Sequence, residues 1–296
     1  MPNLRTIHEE DLASCVAFLA ERERRCISLM SNFIRDGKPE LPAGRKIRAL
    51  VRFSETPTSP VDGIILVMTN GILLHCIREN VELGRYSPVI ARFLSRIPVR
   101  CVIGDRDHSL FLESFLPGKP AREVDYRLMV YAPDASNETG ERDAANAGMP
   151  QEPPAGIEFA RCTAEDTERL LPLQESYEKE EVAPPGDPVD LEAVRISLRA
   201  NLGKQRIFMA LSEGRIVAKA GTNALGLAWV QLGGVFTEPE WRGRGIAASL
   251  VRYIANLETE AGKNIALFVK LTNEPARRAY DRSGFKPDTF FRISYW

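Results

Sequence analysis

The chain has 296 residues, of which 44% are hydrophobic and 27% charged, a balance that excludes disorder and fibre and fits an ordinary soluble globular protein. Lys and Arg number 39 against 40 Asp and Glu, so no basic surplus exists to neutralise a phosphate backbone, and nucleic acid is excluded as the main partner. At roughly 100 to 200 residues per domain the length suits two domains, each able to bury a core.

Five cysteines, Cys15, Cys26, Cys76, Cys101 and Cys162, form an odd set without C-x-x-C spacing, and no basic stretch leads into an apolar run at the N-terminus. A reduced, cytoplasmic protein is expected. The longest mostly apolar run, Val61 to Ile77, is broken by Asp62, Thr69, Asn70, Gly71, His75 and Cys76. It is too short and interrupted to span a bilayer and reads as two strands joined at a turn, so no membrane partner is expected. A strand over Val99 to Ile103 then leads into Asp105 to Leu112, and Tyr126 to Tyr131 closes this half.

Residues 133–156 hold four prolines, three glycines, five acidic residues and Arg142 as the single base. Such a composition cannot form a core and reads as a solvated linker between domains 1–132 and 157–296. The second half opens with a strand from Ile157 to Arg161. Thr163 to Asp166 then has the pattern of a capping box, starting a helix that carries Leu170, Leu171, Leu173 and Tyr177. A second helix follows Asp190. Strands are expected over Ile207–Ser212, Ile216–Asn223 and Leu227–Val235. The helix Ile246–Glu260 places Ile246, Leu250, Val251, Ile254 and Leu257 on one apolar face. A strand over Ile265–Leu271, a helix over Pro275–Ser283 and a strand over Thr289–Tyr295 complete the half.

The two halves overlay. Leu4–Asp11 is similar to Phe159–Asp166, Tyr126–Tyr131 to Phe291–Trp296, and Val99–Ile103 with Asp105–Leu112 to Leu267–Leu271 with Asn273–Tyr280. This is the mark of a divergent tandem repeat.

The most informative stretch runs from Val235 to Leu250, where Arg242-Gly243-Arg244-Gly245-Ile246-Ala247 joins a strand to an amphipathic helix. Amides at a helix start are unpaired and lie at the positive end of its dipole, so they bind anions, and glycines let the backbone approach closely. G-x-G-x-x-G is absent, and no Gly-Lys-Ser/Thr follows, which excludes the dinucleotide fingerprint and the P-loop.

This stretch resembles the R/Q-x-x-G-x-G/A signature of the GNAT superfamily of acyl-CoA N-acyltransferases, matched here by Arg242, Gly245 and Ala247. The family's second signature is matched by Asn273, Tyr280, Gly284 and Phe285. The resemblance covers residues 157–296 strongly and 1–132 weakly. It implies an α/β fold of tandem GNAT-like domains, each a mixed, mostly antiparallel central sheet with flanking helices. It implies acetyl-CoA as acyl donor, its pyrophosphate cradled by the amides of residues 243–247. In the family a strand bulge, here at Gly233-Gly234, separates two parallel strands, and an amide near Val235, followed by Phe236 and Thr237, meets the thioester. Tyr280 is the matching acid, and Asn273 is either a cofactor contact or a helix cap. The reaction so implied is direct attack by a primary amine, small or peptidic, on the thioester.

The strand Ala228–Gly233 lacks the Glu that some family members carry, so the base falls to Glu178, Glu180 or Glu181, to the chain-end carboxylate at Trp296, or to no dedicated residue. A non-catalytic acyl-CoA module and an aminoacyl or longer-acyl transferase are the rival readings. His8, His75 and His108 have no metal-ligand spacing, and no metal is expected. In the N-terminal half, Arg78–Gly84 has no phosphate-loop pattern and Leu112 stands where Tyr280 does. That half is expected to have lost cofactor binding and to shape the acceptor side, with stability or a homodimer contact as the other role open to it.

Overall fold

The computed structural model describes residues 2–56, 58–132, 153–183 and 187–296. Of the expected linker, only 153–156 lie among them. The N-terminal half runs β1 (Asn3–Thr6), α1 (Leu12–Ala20), α2 (Ile27–Met30), a small hairpin β2 (Ile34–Arg35) and β3 (Lys38–Pro39), then β4 (Ile47–Ser54), β5 (Gly63–Met68) and β6 (Ile72–Ile77). After these come α3 (Ser87–Leu94), β7 (Cys101–Asp105), α4 (Arg106–Glu113) and β8 (Arg122–Tyr131). The C-terminal half runs β9 (Glu158–Arg161), α5 (Thr167–Tyr177), α6 (Leu191–Leu202), β10 (Ile207–Ser212), β11 (Arg215–Leu225) and β12 (Trp229–Thr237). It ends with α7 (Ile246–Glu260), β13 (Asn264–Lys270), α8 (Glu274–Arg282) and β14 (Phe285–Tyr295).

The repeat is visible in the caps as well as in the element order. Asp11 accepts the His8 amide at 3.1 Å and Asp166 the Thr163 amide at 2.9 Å, so the same backward reach opens the first helix of each half. After the fifth long strand of each half, Asp105 caps α4 through the Asp107 amide at 3.2 Å, and Asn273 caps α8 through the Ala276 amide at 3.1 Å. These contacts satisfy amides that a helix start leaves unpaired.

Twelve strands form one sheet in the order β1-β4-β5-β6-β7-β14-β8-β13-β12-β11-β10-β9. Among the described residues only β6 with β7 and β12 with β13 are parallel; the other pairs are antiparallel. The centre of this order is an exchange. The last strand of the C-terminal half, β14, lies between β7 and β8, and β8 of the N-terminal half lies between β14 and β13. The two strands pair from Phe285 with Tyr131 to Tyr295 with Arg122, and Tyr126 faces its repeat counterpart Phe291. Each half therefore completes its sheet with the other's strand. Met129 of β8 is buried in the C-terminal core among Leu267, Val269 and Phe285, while Trp296 packs against the N-terminal core with Leu4 and Val99. Arg292 of β14 holds Asp125 of β8 through two bonds of 2.7 and 3.0 Å. The strand order thus ties the two halves together at the centre of the sheet.

On α7, Ile246, Leu250, Val251 and Ile254 face the sheet as expected, but Leu257 is exposed. The inward place in that last turn goes to Glu258, whose carboxylate holds the Arg206 guanidinium, so a buried charge is paired there. A second carboxylate joins the halves: Glu23, 2% exposed, accepts the amides of Ala228 at 3.1 Å and Trp229 at 3.2 Å. All five cysteines are buried, unpaired thiols. Among the described residues no helix is long and apolar enough to cross a membrane.

Candidate active site

Strands β12 and β13 pair from Trp229 with Asn264 to Leu232 with Leu267 and no further. β13 continues to Lys270 along β8, whereas β12 turns away toward Thr237 along β11. The cause is local. The register between β11 and β12 slips between Lys219 and Gly221, opposite Gly234, whose φ of +60° only a glycine adopts readily. Gly233 is small for a separate reason, since a Cβ there would run into the Asn223 side-chain amide. The result is a wedge between β12 residues 233–237 and the end of β13, as the glycine pair led one to expect.

Past Thr237 the chain of β12 runs on into the loop before α7. Gly245 is the N-cap of that helix with φ +79°, Gly243 has φ +78°, and a Cβ on either would meet nothing within 4 Å. Both are thus required by backbone conformation, and the space before the first amides of α7, including those of Ile246 and Ala247, is open. Arg242 and Arg244 frame the loop from within. The Arg242 guanidinium donates to the Thr237 carbonyl at 3.0 Å and to Glu180 at 2.7 Å and lies over the Phe236 ring. Arg244 donates to the Glu240 carbonyl at 3.0 Å and lies over Trp241. The Thr237 hydroxyl is buried without a hydrogen-bond partner among the described residues.

Tyr280 projects from α8 into the C-terminal core and is 7% exposed. Burial pushes its phenol pKa well up, with smaller contributions from Glu181 and Tyr177, which therefore lie near it. Among the described residues its hydroxyl has no partner. Asn273 is a helix cap, its Oδ1 held by the Ala276 amide.

The carboxylates expected as base candidates line the wedge mouth on a π-helical turn from Glu178 to Val182, after α5. Each already accepts a hydrogen bond: Glu178 from Gln174 at 2.8 Å, Glu180 from Arg242, and Glu181 from Lys270 at 2.6 Å. Trp296 belongs to the other end of β14, where its amide donates to the Arg100 carbonyl.

Two residues escaped the sequence reading. Lys219 on β11 is 4% exposed; its Nζ donates to the Gly234 carbonyl at 2.9 Å and lies 4.2 Å from the Tyr177 ring centroid. A lysine inside the apolar run Val217-Ala218-Lys219-Ala220 was the signal, since an unpaired charge is costly there. Tyr126 of β8 sits opposite Lys270, near Tyr177 and Glu181, and burial drives its phenol pKa up. No local pattern could place it, because it arrives from the other half. Nearby, Arg122 of the same strand donates to the Val182 carbonyl at 3.0 Å. The N-terminal half thus walls the mouth of the wedge.

The equivalent wedge in the N-terminal half is filled. β6 and β7 pair only from Ile72 with Cys101 to Leu74 with Ile103. Beyond that the His75 ring lies against Gly104, where a Cβ would collide with it, and its Nε2 shares a 2.8 Å hydrogen bond with Ser109. Burial holds the imidazole neutral, pushing it down to about 3. Leu112, in place of Tyr280, is fully buried among apolar side chains. Among the described residues no cluster of His, Cys, Asp and Glu is arranged to hold a metal.

Residues 169–285 match the family model described as "Acetyltransferase (GNAT) family". No curated protein matches the chain. Similar solved structures include a Drosophila protein, 12% identical with a TM-score of 0.67 over 99% of this chain and 98% of that one. An acetyltransferase from the GNAT family of Colwellia psychrerythraea is 13% identical, TM-score 0.53, over 99% and 98% of the two chains. A tandem GNAT protein from the clavulanic acid biosynthesis pathway has the same identity, TM-score and coverage. At such identities the likeness is one of fold, and it extends over both halves.

Proposed function

We propose that this chain, whose residues 169–285 match the GNAT acetyltransferase family model, transfers the acetyl group of acetyl-CoA to a primary amine by direct attack. The observation that carries the proposal is the parting of β12 from β13 beyond Leu232 at the Gly234 bulge, together with the left-handed Gly245 that starts α7. The residues fit the donor. A long, thin molecule with a pyrophosphate would place its charge at the amides of Gly243, Arg244, Gly245, Ile246 and Ala247, and the orphaned Thr237 hydroxyl offers a bond to its stem. Acetyl-CoA supplies an activated acyl carbon, and everything else falls to the chain.

In this reading the Val235 amide, beside the bulge, stabilises charge on the thioester oxygen. Phe236 closes one side of the acceptor space, its ring 6.1 Å from that of Tyr177. Tyr280, kept protonated by burial, gives its proton to the departing sulfur. The acceptor enters past Tyr126, Tyr177 and the Glu178–Glu181 turn, whose carboxylates favour a cationic amine. The N-terminal half binds no second donor, because His75 and Leu112 occupy the corresponding space. The setting is a soluble, cytoplasmic enzyme acting on a small or peptide amine.

The test is intact-mass measurement of a panel of primary amines and amine-bearing peptides after incubation with acetyl-CoA and the full chain. At least one amine should gain a single acetyl group at a rate above that without protein. Tight acetyl-CoA binding with no amine modified would instead assign the chain to acyl-CoA sensing.

A further inference from the structure

A lysine is ordinarily a solvated cation. Lys219 is instead sunk between β11, the end of α5 and the bulge of β12. Its surroundings are one carbonyl, Gly234 O at 2.9 Å, and the face of one ring, Tyr177 at 4.2 Å. Among the described residues no carboxylate hydrogen-bonds it. The charged and titratable groups that face it are Glu178, which follows α5, and the buried Cys162 thiol at the end of β9; Tyr177 supplies the ring. Burial outweighs the Glu178 carboxylate and brings the ammonium from its ordinary 10.5 down to about 8. Tyr177 is also a neighbour of Tyr280, whose phenol burial pushes the opposite way. Two groups whose surroundings drive them toward opposite proton states are the pattern of an acid and a base sharing one reaction.

We infer that Lys219 is the general base of the acetyl transfer, taking a proton from the acceptor ammonium at the point where β12 turns away from β13. The inference rests on the acetyl-transfer reading above. In the step, the acceptor arrives as an ammonium and gives one proton to neutral Lys219, which frees the nitrogen lone pair. The N–C bond to the acyl carbon forms, the C–S bond breaks, and its electron pair goes to sulfur. Tyr280 protonates that sulfur and recovers the second proton lost by the nitrogen as it becomes an amide. Lys219 then returns its proton to solvent, so one proton is released per turnover. The Gly234 carbonyl stays bonded to the neutral amine and holds it in place. The neighbouring carboxylates are less suited, because Glu180 and Glu181 are held by Arg242 and Lys270.

The test uses the full chain with lysine labelled at its ε-carbon, followed by NMR against pH, with the Lys219 resonance assigned from the Lys219→Arg variant. A midpoint near 8 is expected, and one above about 10, the ordinary lysine value, would overturn the inference. The companion measurement is the rate of acetylation of the amine that gives product in the panel. Wild type should gain rate with pH through the same midpoint. Lys219→Arg keeps a cation beside the Gly234 carbonyl yet cannot release its proton, so it should lose about 10²-fold in kcat with acetyl-CoA affinity unchanged. Acetylation by Lys219→Arg at the wild-type rate would overturn the base and leave the acetyl-transfer reading standing. A chain that acetylates no amine overturns both. Folding is checked separately: the unfolded lysine binds its proton up to about 10.5 and the folded one only to about 8. The burial cost is therefore fully present below pH 8 and fades as pH rises above it, so Lys219→Met should show a higher Tm than wild type at pH 7.

Discussion

Residues 153–296, expressed alone, are expected to give no folded monomer. The matched family segment, 169–285, lies wholly within that fragment, yet its sheet is incomplete. Between β13 and β14 stands β8, which supplies the partner for Lys270 through Ala266 on one side and for Phe285 through Tyr295 on the other. Removing it leaves two strand edges unpaired and strips Met129 from a core that holds Leu267 and Phe285. It also leaves Arg292, 9% exposed, without the Asp125 carboxylate that pairs with it, an unpaired charge that destabilises the fragment. A domain stable by about 5–15 kcal/mol cannot absorb these losses together. The exchange is nearly symmetric, so the fragment has one escape: two copies could trade β14 strands as the halves do. Analytical ultracentrifugation with circular dichroism should therefore show an unfolded chain or a dimer. A folded monomer would contradict the strand order.

Tyr280→Phe is expected to lower kcat by about 10²–10⁴-fold, the range for loss of a positioned proton donor, while acetyl-CoA affinity stays within a factor of a few. The ring itself packs in the C-terminal core, 6.2 Å from the Phe285 centroid, and the variant keeps it, so the fold should persist. Among the described residues the hydroxyl has no partner to lose. Because burial raises the phenol pKa, the group is protonated throughout the neutral range, and wild-type activity should show no loss of this acid up to pH 9. An unchanged kcat at saturating substrate would reduce Tyr280 to a packing residue.

What could be read from the sequence was whatever is written locally. The helix Ile246–Glu260 and the strand Ile207–Ser212 stand where the periodicity puts them, and the bulge follows from two adjacent glycines in a strand. The repeat was legible because caps and strand ends recur at matching places, Asp11 with Asp166 and Asp105 with Asn273. Long-range pairing was not legible. Nothing in Arg122–Tyr131 says that it joins the other half's sheet, because a strand's pattern records which faces are buried and not which neighbour covers its edges. The same gap hid Tyr126. Lys219 was hidden differently: its strand was identified, but its burial depends on Tyr177 and Gly234 closing over it from other elements.

The donor site proposed at the start of α7 is tested by calorimetric titration of the full chain with acetyl-CoA, side by side with Gly245→Glu. One molecule should bind per chain at micromolar affinity, about −8 kcal/mol. The variant should bind at least tenfold more weakly, since its residue 245 must hold the φ of +79° that side chains avoid and sets a carboxylate before the helix amides. Two molecules bound per chain, or Gly245→Glu binding as wild type does, would contradict it.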